Sequence, residues 1–468
     1  MRVPFTPQLL ALMIGSSLAS ASMAEVVETA QVDGKAQGFS GALTLAKQHD
    51  PELKYAYHTF KAEQETDDIS RANLLPNVSL TSTYRYSDID DYYTSNPLSD
   101  AERAARPDLV ERSEQTQDDY SFQLNVQQSL INVGAWKAYS SSKEAVRQSG
   151  FTYTRAEQEL IYRVSEAYLK ALQAAQRVYI TQEKLESLQL KVDQSTRMNE
   201  LGVGGRLNVL RARSSRDVAK SDLLQAQSQL DDAQTALENI TGEAIELPAN
   251  WVQNSHRVLP NLLTGEREDW LQQVADNAQV LAEMSNVRAK ELEAEASTSQ
   301  HLPTLNFQLT YLDRNSDDPY VESSRYIAAI NLEVPIYSGG KTSAQSRQAE
   351  ASYNAAQVRY EKILSDKQQA VKLAYSQLNS FHERLQAIEE SRKSSQAYLE
   401  AAERQADLSL GSQVDVLEAR TDLYDVRLEF AKTLTDYLLA DLNLLLETGR
   451  LNDETLDRFD QLFTAKTL

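Results

Sequence analysis

The chain has 468 residues and a formal net charge of −21 at pH 7, with 68 acidic against 47 basic residues and no cysteine. Such a balance argues against nucleic acid as a partner, because binding by counterion release needs a basic face. The missing cysteine excludes disulfides and a thioether-linked lipid.

The first segment, residues 1–24, reads as a secretory signal: Arg2, an apolar run from Leu9 to Leu18, then small residues, with Ser22 and Ala24 at the −3 and −1 positions of a cut after Ala24. A buried N-terminal helix is the rival reading, but the run is too short to span a bilayer and a polar stretch follows it. Beyond it no apolar run reaches 18 residues, so any entry into a bilayer must be made by strands. A helical segment is predicted at about 41–72. A strand at 76–86 follows, with Val78, Leu80, Tyr84 and Tyr86 on one face and Asn77, Ser79, Thr81, Thr83 and Arg85 on the other.

The loop at 87–119 holds ten acidic and three basic residues, with Tyr92 and Tyr93. It leads to a second strand, in which Tyr120, Phe122, Leu124 and Val126 alternate with Ser121, Gln123, Asn125 and Gln127. A helix at about 136–200 is on the order of 100 Å long at 1.5 Å per residue. Val164, Tyr168, Ala171, Ala175 and Val178 give it the spacing of helices packed side by side. A turn bearing Gly202, Gly204 and Gly205 reverses the chain into a return helix closed by Thr-Gly at Gly242.

The same series then recurs. It comprises a helix at 266–300, a strand at 303–312 and a strand in which Ile330, Leu332, Val334 and Ile336 alternate with Asn331, Glu333 and Pro335. A helix at 341–408, a turn at Gly411 and a return helix closed at Gly449 complete it. "LLPNVSLTSTY" (74–84) matches "HLPTLNFQLTY" (301–311), "GGRLNVLRAR" (204–213) matches "GSQVDVLEAR" (411–420), and "LNVQQSLINVGAWKAYSSSKE" (124–144) matches "INLEVPIYSGGKTSAQSRQAE" (330–350), all in order. The expected organisation is a signal peptide (1–24), a first repeat (25–242) with a β-hairpin at 76–131, a linker (243–265), a second repeat (266–449) with a hairpin at 303–337, and a C-terminal segment (450–468).

Strands of about ten residues with one apolar and one polar face fit a transmembrane β-barrel. An ordinary half-buried soluble hairpin gives the same alternation; the signal peptide and the tyrosine-rich strand ends favour the membrane. Four strands cannot close a barrel, and open edges are not tolerated in lipid, so a membrane reading requires an oligomer.

The twofold repeat, "LLPNVSL" and "HLPTLNF", "QQSLINVGAW", "EVPIYSGGKTSAQSRQAEASYNAA" and "LGSQVDVLEARTDLYDVRLEF" together resemble the TolC family of outer-membrane channel proteins, over residues 41 to 460. The resemblance implies an α+β membrane protein: a homotrimer whose four strands per subunit form one 12-stranded β-barrel in outer-membrane lipid. That barrel continues into a long periplasmic α-helical barrel girdled by an equatorial region, which the linker and the C-terminal segment would join. It implies a passive exit duct for type I protein secretion or drug efflux, docked through a periplasmic adaptor to an inner-membrane ABC or RND transporter.

Candidate chemistry is sparse. The five histidines (49, 58, 256, 301, 382) show no ligand spacing, and no nucleotide-binding or nucleophile motif occurs, so no cofactor, metal or catalysis is expected. The resemblance places Asp415 and Glu418 in an acidic ring at the periplasmic entrance; a solvated i, i+3 pair on a helix face is the plainer reading. Gly204, Arg206, Asn208 and Arg211 form the first entrance turn, and Gly411 and Gln413 the second. The family's best-known members latch the closed tip with Tyr and Arg near the second turn and Asp in the first. Here "LSLGSQVD" lacks both, and Asn208 stands where the Asp would be. Arg206 pairing with an acid on a neighbouring helix is one replacement; a solvated surface arginine is the other. Pro335, Gly339 and Gly340, and in the first copy Gly134, are expected where strand passes into tunnel helix. A periplasmic adaptor with a long helical hairpin is the alternative function. Its single hairpin between β-rich modules fits two hairpins, each following a strand pair, less well. A secreted coiled-coil protein leaves the strands unexplained.

Overall fold

The computed structural model describes residues 38–90, 99–105, 114–247, 265–316, 323–408 and 412–453. The expected signal peptide, most of the 243–265 linker, the tail beyond 453, Tyr92, Tyr93 and Gly411 lie outside these residues. The elements in chain order are α1 (Gly38–His49), α2 (Pro51–Ala72), β1 (Asn77–Asp90), α3 (Asp100–Ala105), β2 (Glu114–Ile131), α4 (Val133–Glu200), α5 (Arg206–Thr241), α6 (Arg267–Gln272), α7 (Ala278–Thr298), β3 (Thr304–Ser316), β4 (Ser323–Glu333), α8 (Lys341–Asp407) and α9 (Gln413–Glu447).

Two helices expected as single pieces are broken. The 41–72 segment divides at Asp50, whose side chain accepts the Leu53 N–H at 2.7 Å and caps a helix that begins on Pro51. Proline carries no N–H, and at a first helical position none is required. The 266–300 segment is α6, a 3₁₀ turn over Gln273–Asp276, the cap Asn277, then α7.

The four strands form one antiparallel sheet in the order β1-β2-β3-β4. Register puts the alternating residues on common faces: Leu80 opposite Leu124, Leu124 opposite Tyr311, and Tyr311 opposite Tyr326. One face is thus apolar across all four strands. The other is a polar mesh in which Gln123 and Thr310 both donate to Asn125 Oδ1 at 3.0 Å. Leu80, Phe122, Ile330 and Leu332 are more than half exposed on the apolar face. Tyrosines gather toward one end of it, Tyr84 beside Tyr120 (4.9 Å between rings) and Tyr311 beside Tyr326 (4.7 Å).

β1 and β2 run further than the hydrophobic alternation indicated, to Asp90 and Glu114. The backbone ladder continues under polar side chains, which satisfy one another there: Arg314 donates to Asp119 at 2.7 Å, and Gln117 to both Asp119 and Ser316. β4, in contrast, stops short. Val334 and Ile336, expected within it, lie beyond its last residue, Glu333. Pro335 has no N–H to give a ladder and restricts Val334, so pairing ends before it. Gly339 and Gly340 then take φ of 66° and 80° and turn the chain into α8. Gly134 serves differently, inside the first turn of α4 after the cap Asn132. A Cβ there would stand 3.3 Å from the Ala296 carbonyl, so its smallness lets α4 and α7 approach.

α4 and α8, at 68 and 67 residues, are the long axes. Toward the sheet they are flanked by α2 and α7, and toward the far end by α5 and α9. The main core sits midway along them. Leu160, Val164, Tyr168 and Leu172 of α4 join Val371, Leu378 and Leu385 of α8, Phe430, Leu434 and Tyr437 of α9, and Phe39 of α1.

One polar cluster ties this belt together. The Glu447 carboxylate, at the end of α9, accepts from Lys367 of α8 at 2.8 Å and pairs with Arg155 of α4 at 3.2 Å. Arg155 also donates to the Leu446 carbonyl, Asn277 to the Glu447 carbonyl and Gln158 to the Gly449 carbonyl. These bonds reach carbonyls at and just past the helix end, where intrahelical partners run out; that of Leu446 also accepts the Gly449 N–H. Burial pushes the Glu447 carboxyl up, but Lys367 and Arg155 outweigh it and hold it below the usual carboxylate range.

Two predictions come from the belt. The lowered Glu447 value makes its stabilisation fully present above the ordinary carboxylate range, and that stabilisation is lost as pH falls through the lowered folded value. Glu447→Gln should therefore destabilise the neutral protein by on the order of 3 kcal/mol, leaving two cations half-answered, and flatten the acid limb of its stability curve. Thermal midpoints from pH 7 to pH 3 measure both. Gly449 has φ of 73° and its added Cβ would meet the Asp276 carbonyl oxygen at 2.7 Å, whereas Gly202 has φ of 74° and open space around it. Gly202→Ala should cost only the backbone term of about 1–2 kcal/mol, and Gly449→Ala clearly more, by the same melts.

Candidate functional site

The end of the helices remote from the sheet is made of two turns. In the first, Leu201 caps α4 and Gly202 turns left-handed, while the Val203 and Gly204 N–H groups both donate to the Met198 carbonyl at 3.0 and 2.9 Å. Gly205 then caps α5, which opens on Arg206. Leu201, Val203 and Leu207 stand exposed around this turn. Arg206 pairs with no acid among the described residues of the subunit, nor does Arg211.

The second turn leads into α9 through Ser412. Its hydroxyl accepts the Val414 N–H at 3.0 Å, and the Asp415 carboxylate accepts the Ser412 N–H at 3.2 Å, a reciprocal capping box. Asp415 thus has a local structural role that the sequence reading did not assign it. Gln413 is the first residue of α9; Gly411 lies outside the described residues. Val416, Leu417 and Ala419 are buried, while Asp415 and Glu418 are exposed.

The two turns meet in a narrow crevice lined by Lys191, Ser195, Asn208, Arg211, Val414 and Leu417. Asn208 and Arg211 are therefore brought against the start of α9, whereas Asp415 and Glu418 do not line this crevice. The acidic face continues up α9 through Asp422, Asp425 and Glu429, at spacings of three and four residues. Asp425 and Glu429 are answered by Lys184 and Arg384. Glu418 and Asp422 have no partner among the described residues, so the uncompensated stripe is Asp415, Glu418 and Asp422. Helical spacing could have found Asp422; the first repeat has Ser215 there.

Above the turns, a polar seam joins α9 to α4. Arg420 reaches both Glu403 of α8 and Ser187 of α4. Arg427 pairs with Glu183 at 2.7 Å, Lys184 with Asp425 at 3.1 Å, and the Tyr424 hydroxyl donates to the Glu183 carbonyl at 3.4 Å. Leu188, Ala219 and Leu417, with Leu185 beside them, make a small apolar contact here, while Leu399, Ala402, Val416, Ala419 and Leu423 pack α8 against α9 at the same level. The sequence carries no mark of the contacts between α9 and α4, because their partners lie more than 230 residues apart.

Among the described residues no group of His, Asp or Glu is placed to hold a metal ion, and no helix is long and apolar enough to cross a membrane.

Asp415→Ala should loosen the start of α9 by about 1 kcal/mol through the lost cap, and Asp415→Asn by less, since an amide oxygen still accepts the Ser412 N–H. Amide hydrogen exchange over residues 412–418 reads the difference.

The family model described as "Outer membrane efflux protein" matches residues 42–243 and 270–450. Outer membrane protein TolC of Escherichia coli K12 is 27% identical over 469 residues, covering 96% of this chain and 88% of the relative. Proteases secretion protein PrtF of Dickeya chrysanthemi is 24% identical, covering 90% of each. The crystal structure of the outer membrane protein VceC of Vibrio cholerae superposes with a TM-score of 0.72 at 17% identity, over 88% of this chain and 96% of that one.

Proposed function

We propose that this chain, which belongs to the outer membrane efflux protein family, is one subunit of a trimeric outer-membrane exit duct for secretion or efflux. The observation that carries the assembly is the four-stranded sheet. It has one continuous apolar face, one polar face, and two edges, β1 and β4, without a partner strand among the described residues. Lipid tolerates neither edge, so β1 of one copy pairs with β4 of the next until the wall closes. Three copies give the 12 strands expected of the family. The apolar face then meets lipid, the polar mesh lines the lumen, and α4 and α8 carry the passage roughly 100 Å into the periplasm.

The duct is passive. Cargo is selected and driven by an inner-membrane ABC or RND transporter joined through a periplasmic adaptor, and a relative named for protease secretion supports export of protein. At the periplasmic end, threefold repetition places Asp415, Glu418 and Asp422 in stacked carboxylate rings, which favour cations. The seam of Arg420, Arg427 and Lys184 holds α9 against α4 there. Polar pairs of this kind are individually weak and mutually replaceable, so docking can exchange them for contacts of its own. The Arg206 and Asn208 turn, with exposed Leu201, Val203 and Leu207, lies where an adaptor would first touch.

The assembly is tested by fractionation: a heat-labile trimer in detergent-extracted outer membranes is expected, and a soluble periplasmic monomer would sink the reading. For the rings, Asp415→Asn with Glu418→Gln should reduce cation preference in planar bilayers. An unchanged reversal potential would count against them without touching the duct itself.

A further inference from the structure

The polar face of the sheet is unevenly charged. Register places Arg85 of β1, Asp119 of β2, Arg314 of β3 and Arg325 of β4 on the face that carries Gln123, Asn125 and Thr310. All four lie in the half of the sheet farther from α4 and α8. Asp119 is already engaged: it is buried, accepts from Arg314 at 2.7 Å and from Gln117 at 3.0 Å, and its carboxyl is answered within the subunit. Arg85 sits directly across the register from Asp119 yet makes no ion pair with a described residue, and neither does Arg325; both are exposed. Glu333, the other acid of this face, is eight residues along β4 from Arg325. That is roughly 26 Å at strand rise, about three Debye lengths at physiological ionic strength. Asp118 and Asp313 belong to the opposite face, where Asp118 accepts the Tyr84 hydroxyl.

We propose that Arg85 and Arg325, with Arg314 behind them, form a belt in the barrel lumen that binds and favours anionic solutes bearing phosphate or carboxylate groups. This rests on the reading of the sheet as the wall of a closed barrel with its polar face inward. Threefold repetition then sets six unanswered guanidinium groups in the half of the lumen farther from α4 and α8, where a low-dielectric wall focuses their field. Rings of arginine select anions, as rings of carboxylate select cations, and the guanidinium fork matches phosphate and carboxylate oxygens two at a time. The duct thereby carries two fixed-charge steps of opposite sign in series, acidic at the periplasmic entrance and basic in the barrel. The segments that join β1 to β2 and β3 to β4 are acidic in sequence, with Asp91, Asp317, Asp318 and Glu322, so the ion selectivity of wild type sums both signs and substitution at Arg85 and Arg325 isolates the share of the belt.

The test uses the purified, reconstituted trimer in a planar bilayer under a KCl gradient, with inorganic tripolyphosphate as the probe. Wild type should be blocked reversibly from the barrel side, at lower concentration than from the periplasmic side. Arg85→Gln with Arg325→Gln should weaken barrel-side block about tenfold and move the reversal potential toward potassium, while Arg85→Lys with Arg325→Lys should retain most of both. A conducting double Gln variant with wild-type block and selectivity overturns the belt. Absence of barrel-side block in wild type overturns it too, whether or not any variant assembles. Failure of wild type to form channels at all would instead strike the exit-duct reading, and the belt with it.

Discussion

Everything in this molecule answers to the need to satisfy backbone hydrogen bonds where no water is available. A strand pair whose side chains alternate apolar and polar can stand between lipid and an aqueous lumen, but the outermost strands of an open sheet cannot. Among the described residues of one subunit, the edges of β1 and β4 have no partner strand. The fold is therefore a sector of a wall rather than a finished object, and its exposed Leu80, Phe122, Ile330 and Leu332 form the apolar face that the proposed barrel turns to lipid. The abrupt end of β4 before Pro335, and the positive-φ glycines after it, mark where the chain leaves that constraint for another.

Below the sheet, the constraint becomes how to hold helices far longer than a globular core can cover. Packing is concentrated in a midway belt, where α1 and α6 supplement the four main helices and the Glu447 cluster ties α4, α8 and α9 to the Asn277 turn. Further down, the interface between α4 and α9 is chiefly polar, with one small apolar contact. Well-buried regions open rarely and sparsely packed ones readily. The gradient from belt to turns thus leaves the remote end as the part most able to rearrange, which is where a duct that opens on docking needs its compliance.

Duplication supplied two hairpins of the same plan, and the differences between them carry the chemistry. Asp415, Glu418 and Asp422 occupy positions that hold Asn208, Arg211 and Ser215 in the first repeat, and Glu447 stands where Ile240 does. One copy keeps the acids facing solvent and the buried ionic knot; the other contributes the exposed apolar turn. Both caps persist, Thr241 and Thr448 each donating back to a carbonyl four residues earlier.

The periodicities alone determined the architecture: alternation over β1 to β4, 3-4 spacing along α4 and α8, and the order of matching segments are properties of single faces, readable because neighbours in sequence share a face. The acids of the entrance turn were legible for the same reason, though Asp415 was not recognised as the reciprocal partner of Ser412. Helix breaks at Asp50 and Asn277 were missed because a short side chain and one proline redirect the backbone without disturbing the hydrophobic pattern. What only the tertiary structure decided is which distant charges answer each other. Glu447 with Arg155, Arg427 with Glu183 and Arg314 with Asp119 join residues far apart along the chain, and no local pattern records such a pairing. The same holds for the unanswered charges: Arg85 and Arg325 became distinct from the paired arginines only once strand register showed which face they share and how little acid lies on it.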